Sequence, residues 1–172
     1  MDIQEKQTRK LNRLSEFDYS SNGAYYITIC SKDKAHIFGE VVCNNQIVET
    51  TTRKITVGAA ICRPSIILSR VGVIVEQAIT EIPKRYKDVL VDKYVIMPNH
   101  IHLLISINKC GRQIAAPTIN LIVGHFKRAV SMNLHQLNIS DSIWQKSFYD
   151  HIVRNDKDHQ SIWDYIDTNP DK

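Results

Sequence analysis

At 172 residues the chain has room for one domain with a full core, and 43% hydrophobic with 23% charged residues excludes a disordered or collagen-like chain. A net charge of +4 permits an acidic partner such as nucleic acid without requiring one, and no run of about 18 apolar residues offers a membrane span. The polar opening "MDIQEKQTRKLNRL" lacks the apolar core of a signal peptide, and Cys30, Cys43, Cys62 and Cys110 include no C-x-x-C pair. A soluble protein of the reduced cytoplasm, with no membrane association, is therefore expected.

Residues 1–20 read as a polar lead, expected to be poorly ordered, ahead of a single domain. "GAYYITICS" (Gly23 to Ser31) is β-branched and aromatic and predicts a strand. "FGEVVCNNQIVETTT" predicts a hairpin, because Asn44-Asn45 divides two runs of strand formers and asparagine tolerates the positive φ of a tight turn. "RKITVGAAICRPS" has no clean period and reads as a loop. From Ser69 to Ile82, Val71, Ile74, Val75, Ala78 and Ile82 recur at helical spacing, with Ser69 as cap and Pro83 near the end. "DVLVDKYVIMPN" and "HIHLLISI" are two strands separated by the turn residues Pro98 and Asn99. After the loop "CGRQIAAP", Thr118 caps a long helix whose Ile119, Ile122, Val123, Phe126, Val130 and Leu137 form an apolar stripe. "SIWQKSFYDHIVR" reads as a strand, and Asn155 caps a last helix with Asp158 in the capping-box position. Without the hairpin and the final helix the order is βαββαβ. That order predicts an α+β, ferredoxin-like split βαβ fold, an antiparallel sheet with helices packed on one face.

The strand "HIHLLISI" carries two histidines. Side chains alternate along a strand, so His100 and His102 share a face at about 6.6 Å between Cα atoms, twice the rise per residue, and can converge on one ion. The pair is also at home as two polar residues on a solvated sheet face. A third ligand would come from another element, and the last helix offers Asn169, one turn after Tyr165. An amide oxygen with two imidazoles favours Mg²⁺ or Mn²⁺ over zinc, which would recruit cysteine or a third histidine. A tyrosine one turn from a metal ligand can attack a phosphodiester that the metal polarises. Tyr165, between Ile162 and Ile166, also reads as a core residue with a satisfied hydroxyl.

"YVIMPNHIHLLI", "VGHFKRAVS", "WQKSFYDHIVRNDKD" and "DYIDTNP", in that order, resemble the single-tyrosine HUH transposases, most closely the REP-associated tyrosine transposases. The similarity runs from Gly23 to Pro170. It implies a ferredoxin-like endonuclease domain that nicks and rejoins single-stranded DNA at hairpin or palindromic elements, with Mg²⁺ or Mn²⁺ assisting. On this resemblance His100 and His102 are the HUH histidines, Tyr165 is the nucleophile that becomes linked to a DNA 5′-phosphate, and Asn169 is the further metal ligand. Relatives of this class include monomers and homodimers, and the sequence does not choose between them. They also usually continue beyond Pro170, and a shorter end would hold the Tyr165 helix less firmly.

Tyr149, beside Asp150 and His151, is the competing nucleophile, although it has no metal ligand at helical spacing. Lys127, Arg128, Lys146 and Arg154 are candidate phosphate contacts, which would give affinity and salt dependence without sequence readout. His125, His135 and His159 read as surface or packing residues, and Trp144 as a packing residue. Two other functions fit the same motifs: a domesticated DNA-hairpin-binding module that no longer cuts, and a relaxase or replication initiator, for which 172 residues leave no accompanying domain. A hydrolytic phosphoesterase would need a second histidine motif, and none is present.

Overall fold

Alternation along Gly23–Cys30 (β1) divides the sheet into two chemically different faces. Tyr25, Ile27 and Ile29 are fully buried, whereas Tyr26, Thr28 and Cys30 between them are half-buried, because successive side chains of a strand point to opposite sides. The computed structural model describes residues 19, 21–43, 64–108, 117–139 and 142–169. After β1 come β2 (Gly39–Cys43), β3 (Pro64–Leu68), α1 (Arg70–Arg85), β4 (Val89–Ile96), β5 (His100–Ile107), α2 (Ile119–Gln136), β6 (Tyr149–Val153) and α3 (Asp156–Thr168). Four strands pair antiparallel in the order β4-β5-β1-β6, and β2 pairs with β3 in a separate two-stranded sheet. This is the split βαβ arrangement that the element order predicts.

The two crossover helices bury their apolar stripes on one face of the sheet. Ile74, Val75 and Ile79 of α1 and Ile122, Phe126 and Val130 of α2 join Ile27, Ile101, Leu103 and Ile105 in one core. Each fully buried isoleucine, leucine or phenylalanine there contributes about 1.5–3 kcal/mol. The third helix lies on the other face, where Ile162 and Ile166 pack on Leu104. All three N-caps are those expected: Ser69 Oγ accepts from Gly72 N at 3.1 Å, Thr118 Oγ1 from Leu121 N at 3.3 Å, and Asn155 Oδ1 from Asp158 N at 2.9 Å. Among the described residues no helix is long and apolar enough to cross a membrane.

Several boundaries differ from the sequence reading. β2 pairs with Pro64–Leu68, so the segment read as a loop ends in a strand; Asn44-Asn45 and the proposed second arm of the hairpin lie outside the described residues. The loop "CGRQIAAP" also lies almost entirely outside them. α1 runs on to Arg85, since Pro83 in its last turn forfeits one hydrogen bond without ending the helix. In α2 the buried stripe closes with Leu134, and Leu137 at the C-cap is exposed.

The strand read across "SIWQKSFYDHIVR" is confined to Tyr149–Val153. Upstream, Trp144 bridges Ser31 and Gln145 N donates to Cys30 O at 3.1 Å, but the chain then leaves the ladder. The freed carbonyls of Gln145 and Ser147 accept from Lys127 Nζ at 2.8 and 3.1 Å. Carbonyls that leave the ladder need another donor, and the lysine of α2 supplies it.

Gly72, in the first turn of α1, passes close to the strand region before β2. A Cβ there would stand 1.9 Å from the Phe38 carbonyl oxygen. Gly72→Ala should therefore lower stability by roughly 1–3 kcal/mol, read as a reduced urea midpoint at unchanged slope. An unchanged midpoint would show that this contact relaxes freely.

Candidate active site

The β1–β5 register determines what surrounds the histidines. Thr28 stands opposite His102 on one side and opposite Tyr149 on the other, while Tyr26 stands opposite Leu104 and His151. Directly opposed residues share a face. His102, Thr28, Tyr149, Tyr26 and His151 thus line the face opposite the main core.

The two imidazoles converge as their spacing predicts. Their Nε2 atoms are 3.1 Å apart and their ring centroids 4.6 Å apart. Each ring is held at its other nitrogen: His100 Nδ1 lies 2.6 Å from Asn99 Oδ1, and His102 Nδ1 lies 2.7 Å from Tyr26 Oη and 2.9 Å from Thr28 Oγ1. With the Nδ1 hydrogens donated to these oxygens, both Nε2 lone pairs point into the shared space. Two lone pairs at 3.1 Å repel unless a proton or cation sits between them. The separation also matches adjacent corners of an octahedron with metal–ligand bonds of about 2.1 Å.

Burial keeps the imidazoles neutral. It lowers the His100 pKa, with the Lys34 charge adding to the effect, and pushes His102 down to about 3, with His100 contributing second. Burial also raises the Tyr26 pKa to about 12, so that its hydroxyl keeps its proton.

Tyr165 comes to the same place from α3. Its ring meets His102 edge-on at 5.4 Å and Tyr26 edge-on at 6.3 Å, and it is 38% exposed. Tyr165 is therefore a rim residue, open to a ligand, unlike its buried neighbours Ile162 and Ile166. One turn on, Asn169 is buried and its Nδ2 has no hydrogen-bond partner. A half-turn of the amide would put Oδ1 in that position. Among the described residues no three His, Cys, Asp or Glu side chains cluster.

The remaining candidates divide by face. Tyr149 shares the histidine face and is 51% exposed, but it stands two strands away from His102. Arg154 and Lys146 are exposed on either side of β6. Lys127 and Arg128 lie on α2, across the sheet, and Lys127 is already engaged by two carbonyls, with burial lowering its pKa. Trp144 packs on Phe38 and Phe126 at centroid distances of 5.5 and 5.6 Å, as a packing residue should. His125 meets the Tyr86 hydroxyl and His159 stacks on Trp163, while His135 is exposed. Asp158 makes only half of the expected capping box: its Oδ2 accepts from Arg154 N at 3.2 Å and pairs with His151 Nε2 at 2.9 Å. That histidine holds the carboxyl below the usual carboxylate range.

Residues 20–169 match the family described as "Transposase IS200 like". The chain belongs to the IS200-like transposase family. An uncharacterised Haemophilus influenzae protein is 31% identical over 178 residues, 94% of this chain and 88% of the relative. A second Haemophilus influenzae protein, provisionally named a REP-associated tyrosine transposase, is 34% identical over 83 residues, 45% of this chain and 47% of its own. The solved structure of a REP-associated tyrosine transposase bound to a REP hairpin superposes with a TM-score of 0.54 at 18% identity, covering 91% of this chain and 73% of that one. The transposase resemblance read from the four motifs is borne out at the level of family and fold.

Sequence reasoning missed Tyr26, Thr28 and Asn99, the residues that orient the imidazoles. The signal for the first two is present in "GAYYITIC", where hydroxyl-bearing Tyr26 and Thr28 alternate with apolar residues and so share a face.

The buried imidazole gives a pH signature. In the unfolded chain His102 titrates near the ordinary value of about 6.5, whereas in the folded chain it stays neutral until about pH 3. Between those values the unfolded state holds the extra proton, so stability is intact above about 6.5 and falls as pH drops, by at most ~1.4 kcal/mol per unit. Urea unfolding in EDTA should show this slope from about pH 6.5 to about pH 5, and His102→Gln should flatten it. An equal slope in the variant would assign the effect to other groups.

Proposed function

We propose that this IS200-like transposase chain is a metal-dependent nickase and strand transferase for single-stranded or hairpin DNA, with Tyr165 as its nucleophile. The observation that carries the reading is the meeting of Tyr165 with His102 at 5.4 Å, beside two Nε2 atoms 3.1 Å apart. A hairpin DNA partner is supported by the structural relative, which is bound to a REP hairpin.

In this reading His100, His102 and the Asn169 amide hold Mg²⁺ or Mn²⁺. The neutral imidazoles, the Nε2 separation and the unpartnered buried amide fit such an ion. The bound cation supplies polarisation of a phosphate oxygen. Asn99, Tyr26 and Thr28 keep both Nε2 atoms aimed inward. Tyr165 Oη attacks the scissile phosphorus and gives up its proton, the P–O3′ bond breaks, and the 3′-oxygen takes a proton. The product is a 5′-phosphotyrosine and a free 3′-OH. A 3′-OH of another strand then reverses the chemistry, forming a new P–O3′ bond and releasing Tyr165, so rejoining requires no ATP. Arg154 and Lys146, flanking β6, are the cations proposed to meet DNA phosphates; Lys127 is committed to Gln145 and Ser147.

The test is incubation of the full chain with labelled single-stranded hairpin DNA from the region flanking its gene, with Mn²⁺ or EDTA, followed by denaturing electrophoresis. The expected result is a covalent adduct that requires metal, survives Tyr149→Phe and disappears in Tyr165→Phe. Tight hairpin binding without an adduct would replace the nickase by a binding module. An adduct lost only in Tyr149→Phe would move the chemistry to β6.

A further inference from the structure

A β-bulge in β4 decides where Lys93 points. The β4–β5 register shifts between Val91 and Lys93: Val91 stands opposite Ile105, and Lys93, two residues on, stands opposite Leu104. Residues two apart on a regular strand share a face; the extra residue here, Asp92, breaks that rule. The Asp92 carboxylate accepts from the Ser106 hydroxyl. Val91 consequently packs against the main core, while Lys93 joins the histidine face in one row with Leu104, Tyr26 and His151.

From that row the lysine reaches up to α3. Its ammonium pairs with Asp167 and lies 4.5 Å from the centre of the Trp163 ring, and its side chain is only 20% exposed. Trp163 and Asp167 are one turn apart, so a single lysine grips two successive turns of the same flank. Tyr165 is two residues from each, roughly 200° round the helix. It therefore sits on the opposite flank, where it meets Tyr26 and His102.

The apolar contact beneath α3 is centred on Ile162, Ile166 and Leu104, with Ala24, Tyr26, Val95, Val153 and Trp163 packed round them, and a ridge of two isoleucines does not by itself determine the roll of the helix about its own axis. A grip on one flank and aromatic edges on the other determine it. We infer that Lys93 is a positioning residue for the reaction: through Trp163 and Asp167 it sets the roll of α3 that brings Tyr165 to His102. This rests on the reading of Tyr165 as nucleophile. An ion pair whose carboxylate is 66% exposed contributes little to stability, so the effect of losing Lys93 is on alignment, and misplacement by about 1 Å can slow a reaction on the order of a hundredfold.

Lys93→Met keeps the length of the side chain and removes the charge, and Lys93→Arg keeps charge and ring contact. Three readouts on the full chain separate the possible roles: hydrogen exchange of the α3 amides without DNA, hairpin affinity, and adduct rate at saturating DNA. Lys93→Met should speed exchange in residues 162–169 and slow adduct formation by about 10- to 100-fold with hairpin affinity within about twofold; Lys93→Arg should restore most of both. Asp167→Asn should reproduce the direction of the change, and it keeps the test intact should Lys93→Met fail to fold. Exchange left unchanged while affinity and rate fall together would overturn the inference in favour of a phosphate contact. Three unchanged readouts would overturn it outright. Absence of any adduct in the wild type would instead defeat the nickase reading, and the exchange data would still decide whether Lys93 holds α3.

Discussion

The antiparallel register between β1 and β5 is the constraint from which the site follows. It places Thr28 against His102 and Ile27 against Leu103, so that one face receives the isoleucines and leucines and the other the imidazoles and hydroxyls. A slip of one residue would exchange the two sets, burying the histidines under α1 and α2. The large apolar core on the helical face resists that slip. The energy that holds the fold and the chemistry on the opposite face are thus linked through one strand pairing.

The site face is finished by an element with few apolar contacts of its own. α3 rests through Ile162 and Ile166 on Leu104, with Ala24, Tyr26, Val95, Val153 and Trp163 packed round them, and is tied as well by polar groups: the Asn155 cap and the His151–Asp158 pair at its start, Lys93 farther along. A helix held in this way places Tyr165 at a partly open rim while leaving the main core untouched. The buried amide of Asn169 follows one turn after Tyr165, and the paired Nε2 atoms are oriented by the partners of their Nδ1 atoms before any ligand arrives. Such orientation lowers the cost of gathering ligands round an ion.

Much of this was legible in the sequence because it depends on local periods. Period two put His100 and His102 on one face, period 3.6 placed Asn169 one turn from Tyr165, and the caps Ser69, Thr118 and Asn155 marked three helix starts. What escaped reading depends on pairing between distant segments. Tyr26 and Thr28 reach His102 across 76 and 74 residues of chain. β3 is a strand because β2 lies beside it, and a five-residue run just ahead of a helix carries no period of its own. Lys127 looked like a phosphate contact because the break in the ladder at Gln145 and Ser147, which claims its ammonium, is invisible in a run of strand formers. The bulge at Asp92 likewise turns Lys93 to a face that simple alternation from Val91 would not give.

The central claim is that one register brings two imidazoles together as ligands of a single divalent cation. Spin-echo spectroscopy of Mn²⁺ added to the metal-free protein tests it directly, because coupling to nitrogen nuclei counts the imidazoles bound. Two coupled imidazole nitrogens in the wild type, reduced to one in His100→Gln, is the predicted result. Mn²⁺ that shows no nitrogen coupling, or coupling unaffected by His100→Gln, would contradict the account.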